Sequence, residues 1–129
     1  MREINEHKHP AQNEAISIMA DDRDVNQGGA SHSYALAYRL GSQAAGESEA
    51  DVVLVVDFQH GPLAEVGVNG ITNEAMLAVL VDRMDGFQSG DRGSDEGDNA
   101  LRCLREALAW LHLRTTNRIA RHVEGTSTR

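Results

Sequence analysis

The chain has 129 residues, a formal net charge of −8 and a single cysteine, Cys103. That length supports about one domain with a modest core, which oligomerisation would help to complete. An acidic balance excludes a surface that tracks nucleic-acid polymers, and one cysteine excludes an internal disulfide and fits a reducing compartment. The opening MREINEHKHP is polar and no apolar run reaches the roughly 20 residues of a membrane span, so the chain is read as cytoplasmic, with no signal peptide and no membrane contact.

Residues 1–12 read as a flexible lead-in. His7 and His9 lack neighbouring ligands at metal-site spacing, and no metal ligand is assigned. Residues 13–129 are expected to form one α+β domain. Its first part, 13–70, is a small, mostly antiparallel β-sheet of three or four strands, and 71–126 is an antiparallel two-helix hairpin. NEAISIM is a candidate strand through Ile16 and Ile18. DDRDVNQGG is an exposed loop ending on a glycine pair. SHSYALAYRL alternates with period two from Ser31, and GSQAAGESEA is turn-rich. DVVLVVDF, 51–58, is β-branched and apolar on both faces, which predicts a central strand stopped by Gly61-Pro62.

GVNG, 67–70, reads as a strand-to-helix turn, after which Thr72 can cap a helix carrying Glu74 in its first turn. Met76, Leu77, Leu80, Val81, Met84 and Phe87 supply that helix's apolar face, and it ends near Phe87. The acidic, glycine-rich QSGDRGSDEGD is a loop, and a long second helix begins between Ser94 and Asn99. Leu101, Leu104, Leu108 and Leu111 fall at 3-4-3 spacing along one face of it. Continuing that period lands on Thr115 and Arg118, with Arg114 and Arg121 on the flank.

The charge distribution sharpens this pattern. From Leu101 onward there are six arginines (Arg102, Arg105, Arg114, Arg118, Arg121, Arg129) against Glu106 and Glu124, a balance of +4, which leaves −12 for residues 1–100. A small basic site on an acidic protein suits a small anion. The first helix, about 16 residues or 24 Å long, covers the second only to about residue 110. Asp82 and Asp85 then lie some 20 Å from Arg114 and Arg118 by the same rise. What remains for the arginines is Glu74, Glu124, the sheet, a neighbouring subunit or a ligand, that is, either an interface or solvated role or an anion site. No catalytic constellation is present: the histidines are scattered, and there is no nucleophile elbow, HExxH or phosphate loop. Phe87, beside Gln88 at a helix end, is placed to stack on a base, or closes the core.

The ordered motifs GVNG, TNE, FQxG, RTxxR and VEGT, over about residues 58–126, resemble the phage protein family whose helical-hairpin domain is shared by anti-Thoeris and anti-CBASS signal sponges. The preceding SHSYAL strand region is similar to the longer, anti-Thoeris type. The resemblance implies a non-catalytic homo-oligomer, a dimer or a trimer of dimers, acting without cofactor in the cytoplasm of the infected bacterial host. Its implied ligand is a cyclic nucleotide immune signal, either a cyclised ADP-ribose isomer or a cyclic di- or trinucleotide. Carried over residue by residue, the implied ligand-binding positions are Phe87, Gln88, Asn99, Arg114, Thr115 and Arg118. The chain departs from the family in its longer, acidic connection, which lacks the cysteine commonly found ahead of the asparagine. The alternative is a homo-oligomeric interaction protein that uses the hairpin arginines at an interface.

Overall fold

The computed structural model describes residues 1–26, 28–41 and 50–121. Most of the turn-rich 41–50 segment and the VEGT motif lie outside the described residues. The chain divides into two compact units, Met1–His60 and Gly61–Arg129.

The first unit is a four-stranded antiparallel sheet in the order β1-β2-β3-β4, with β1 Arg2–Ile4, β2 Ser17–Ala20, β3 Ser33–Leu40 and β4 Ala50–Asp57. The α+β class and the small antiparallel sheet ahead of a helical hairpin agree with the sequence reading. Two details differ. Arg2–Ile4, expected in a loose lead-in, pair with Ile18–Ala20, and the Arg2 guanidinium donates to Ser31 Oγ at 3.1 Å. A polar strand needs no apolar signature when one backbone ladder and a side-chain tie hold it.

The second difference concerns β4. It was expected to be central but is an edge strand, bonded to β3 alone among the described residues. Val53, Leu54 and Val55 are 55–63 % exposed. Apolar residues on both faces call for cover on both faces, and position within the sheet does not follow from that. Across the β3–β4 ladder, Arg39 faces Asp51 in register and donates at 2.7 and 3.4 Å. That guanidinium holds the Asp51 carboxyl below its ordinary range.

The second unit contains α1 Leu63–Val66, α2 Asn73–Ser89 and α3 Asp95–Ala120. α1 is a single turn that the sequence pattern did not reveal. Gly67 of the GVNG segment closes it at φ 73°, donating its N–H to Leu63 O at 2.9 Å, a conformation glycine adopts without a Cβ penalty. α2 begins at the expected Thr72 cap, and α3 begins within the expected Ser94–Asn99 window. Thr72 Oγ1 accepts from Ala75 N at 3.1 Å, and Ser94 Oγ accepts from Gly97 N at 2.9 Å. Asp95, Glu96 and Asp98 occupy the first turn of α3 and complement its dipole.

The residues of α2 most withdrawn from solvent include Glu74, Leu77, Val81, Met84 and Gln88, and those of α3 are Gly97, Leu101, Leu104, Leu108, Leu111, Thr115 and Arg118. Both sets alternate by three and four, the seven-residue repeat of two helices packed along one seam. The sequence-derived leucine stripe is this seam. Leu80 and Phe87, assigned to the same apolar face, are instead 40 % exposed. α3 has 26 residues and α2 has 17, so α3 is longer by about 13 Å at 1.5 Å per residue.

Candidate functional site

The six ligand-binding candidates fall into two groups on this hairpin. Phe87 and Gln88 end α2, and Asn99 lies in the opening turns of α3. Arg114, Thr115 and Arg118 lie near the other end of α3. Asn99 and Arg114 are about 22 Å apart along the helix at 1.5 Å per residue. Within one chain the two groups are separate surfaces.

At the connection end, Phe87 presents an exposed ring with the Arg83 guanidinium carbon 4.9 Å from its centroid. The arrangement supplies an aromatic face already paired with a cation. Asn99 is exposed, and its Oδ1 accepts from Arg102 Nη2 at 2.9 Å. Gln88 is employed differently. Its Nε2 donates to Ser94 O at 2.8 Å and to Asp98 Oδ1 at 2.6 Å, and its Oε1 accepts from Ser94 N at 3.2 Å. One amide thus ties the end of α2 to the connection and to the start of α3.

Gly97 is the residue that sequence reasoning passed over here. A Cβ at Gly97 would collide with the Gln88 amide, so the position that this amide takes between Ser94 and Asp98 depends on glycine at that point. The only signal for it in the sequence is a glycine inside an otherwise helical pattern. Replacing Gln88 with alanine removes three hydrogen bonds at an exposed junction. The expected cost is about 1–2 kcal/mol, read as a lowered urea midpoint of the helical circular-dichroism signal, and a loss below about 0.3 kcal/mol would mean that the amide is not a structural tie.

At the other end the leucine seam gives way to polar side chains. Thr115 and Arg118 continue it after Leu111, Thr115 half-buried and Arg118 only 8 % exposed. Arg114 stands one turn before Arg118 and is exposed. Asp85 lies toward the connection end of α2 and is paired there, its Oδ1 accepting from Arg105 Nη2 at 3.0 Å. Two guanidinium groups one helical turn apart, one at the surface and one withdrawn from it, form a donor set suited to carboxylate or phosphate oxygens.

Residues 50–116 match the family model described as "Acb2/Tad1, hairpin domain". The chain belongs to the Acb2/Tad1 hairpin-domain family. Phe87, Gln88, Asn99, Arg114 and Thr115 all lie inside the matched segment, and Arg118 lies two residues beyond it. The chain is also similar to Thoeris anti-defense 1 of Bacillus phage SBSphiJ7, with 44 % identity over 71 residues. That match covers 55 % of this chain and 50 % of the phage protein, so the chain spans about half the length of this relative. The family hairpin accounts for α2, most of α3 and β4, and the resemblance drawn from the GVNG to RTxxR motifs is to this same family.

Proposed function

We propose that this protein is a non-catalytic sponge that binds and sequesters cyclic nucleotide immune signals, letting a phage evade Thoeris or CBASS defence in the cytoplasm of its bacterial host. The observation that carries this reading is the passage of the hairpin seam from leucine to Thr115 and Arg118, with Arg114 exposed beside them. Cyclised ADP-ribose isomers and cyclic di- or trinucleotides are small polyanions, and arginine meets their phosphates through paired N–H donors. The Phe87 ring and the Asn99 amide supply the complementary means of holding a base, by stacking and by edge hydrogen bonds. Sequestration requires tight binding and no activated nucleophile. Membership of a family whose relative is named for anti-defence supports the same reading.

A homo-oligomer, a dimer or a trimer of dimers, is part of this proposal. In the helical unit Leu101 is the one hydrophobic residue that is buried among the described residues, whereas Val79, Trp110, Leu113 and Ile119 are 46–64 % exposed. Helices with that much apolar surface outside their mutual seam gain by packing against further copies. Rotational symmetry would then gather arginines from several chains around one ligand. The same exposed residues also favour the alternative, an interaction protein whose arginines grip a protein partner.

A thermal-shift panel of cyclised ADP-ribose isomers, cyclic dinucleotides and cyclic trinucleotides, with light-scattering mass on the same sample, separates the two. A ligand at about 100 times its Kd adds about 2.7 kcal/mol, several degrees for a chain of this size. The sponge reading expects such a shift with at least one class and recovery of that ligand unchanged after heating. Recovery of degraded ligand would identify an enzyme. A defined oligomer with no shift from any ligand would favour the interaction protein.

A further inference from the structure

The histidines are scattered through the sequence, but three residues of the sheet unit converge. Asp24 lies in the β2–β3 connection, His32 immediately precedes β3, and His60 follows the end of β4. The register sets this up. Ser33 pairs with Asp57, and Phe58 N donates to His32 O at 2.7 Å, so the start of β3 and the end of β4 coincide at one end of the sheet. The His32 and His60 rings stack there with centroids 4.1 Å apart and planes 9° from parallel. One ligand atom from each of Asp24, His32 and His60 lies within 4.8 Å of the other two.

The backbone beneath these side chains is fixed. His32 N donates to Asp21 Oδ1 at 3.0 Å, Asp24 N donates to Ala30 O at 3.1 Å, and Gly29 N donates to Asp24 O at 2.8 Å. The Asp24 carboxylate divides its work. Oδ1 accepts from Asn26 N at 3.0 Å, whereas Oδ2 lies 3.0 Å from His60 Nε2. His32 supplies a second, independent observation: its Nε2 is shielded from solvent and has no hydrogen-bond partner. Folded proteins satisfy most buried ring nitrogens, and one that is left over beside a second imidazole and a carboxylate calls for an electrophile.

We propose that Asp24, His32 and His60 form a site for a divalent transition metal of the zinc class, clamping the β2–β3 connection to the end of β4. Two imidazole nitrogens and one carboxylate oxygen, with no thiolate, are a borderline donor set. It suits Zn²⁺ and its neighbours, whereas Ca²⁺ and Mg²⁺ require oxygen ligands. A tetrahedral ion with bonds of about 2.0–2.2 Å spaces its donors about 3.4 Å apart. The His60–Asp24 pair is already near that separation, and the His32 ring must swing out of its stack on His60 for its in-plane lone pair to reach the same ion. On binding, the proton between His60 Nε2 and Asp24 Oδ2 leaves to solvent and the ion takes its place, with the fourth position left to water.

The test uses full-length protein stripped with a chelator and dialysed, then titrated with Zn²⁺ in competition with a chromophoric chelator. One equivalent per chain is expected, with a zinc-dependent rise in Tm. His60→Gln and Asp24→Asn are each expected to weaken zinc by at least about tenfold and to abolish that rise. A His7→Gln, His9→Gln double variant is expected to bind like the parent. The His60 side chain is 48 % exposed, so His60→Gln tests the site even if Asp24→Asn disturbs the loop. Absence of stoichiometric binding at micromolar zinc, or zinc affinity unchanged in His60→Gln, would overturn the proposal and leave the trio as a stacked pair with an ion-paired histidine.

Discussion

Replacing Arg114 with alanine is expected to weaken the ligand identified by the thermal-shift panel by about 10- to 100-fold while moving the Tm of the free protein by no more than about 2 °C. The asymmetry follows from exposure. Arg114 is at the surface of α3, where a substitution perturbs little packing, yet its guanidinium offers charge-assisted bonds that only an anionic partner uses fully. Arg118 requires a different substitution, because a buried charge cut back to alanine leaves a hole in the seam. Arg118→Leu extends the Leu101, Leu104, Leu108, Leu111 repeat instead, keeping the seam filled, and is expected to reduce binding at least as much as Arg114→Ala. Isothermal titration beside thermal melts reads both effects. Unchanged affinity in both variants would remove the arginine end from the ligand site and turn attention to Phe87, about 26 Å away by the length of α2.

Much of the hairpin was legible in the sequence because its determinants are local. The 3-4-3 leucine spacing and the Thr72 cap each act within about one helical turn and are realised as read, and α3 starts inside the expected Ser94–Asn99 window, although the sequence reading places its acidic first turn in the loop. The failures share the opposite property. β1 is held by its partner strand and by an Arg2–Ser31 bond spanning 29 residues, which no local pattern announces. β4 was misplaced because apolar faces report that something must cover them, not what does. α1 is one turn closed by Gly67, too short to show a helical period, and falls in the stretch assigned to the sheet part just ahead of GVNG.

The candidate site divides along the same line. That Thr115 and Arg118 fall on the seam, with Arg114 beside it, could be read by extending the leucine spacing, since helical periodicity fixes which side chains share a face. Gln88 could not be interpreted in that way. Its position beside an aromatic suggested base recognition, and only the three-dimensional path of the connection brings Ser94 and Asp98 to its amide. Asp24, His32 and His60 are further removed still. Their separations match no ligand spacing: strand register brings His32 to His60, and the fold of the β2–β3 connection brings Asp24 to both.

Leu101→Ala is expected to cost the hairpin about 2–5 kcal/mol, the range for truncating a fully packed leucine. Leu101 is 6 % exposed and sits at the seam position that follows Gly97, beside the Gln88 tie. The neighbourhood is poorly able to collapse into the space left behind, since the Gln88 amide is tied on three sides and Gly97 has no side chain to move. That places the cost in the upper part of the range. In urea the midpoint of the helical signal should fall by about 2–2.5 M for a slope of about 2 kcal/mol/M. Leu113→Ala is the matched control. Leu113 is 46 % exposed, so truncating it should change the monomeric hairpin by less than about 1 kcal/mol. If Leu113 packs against another copy, its effect becomes dependent on protein concentration while that of Leu101 persists at every dilution. Equal, concentration-dependent losses at both positions would mean that the seam within one chain is too weak to fold the hairpin, and that the helices are ordered by the assembly.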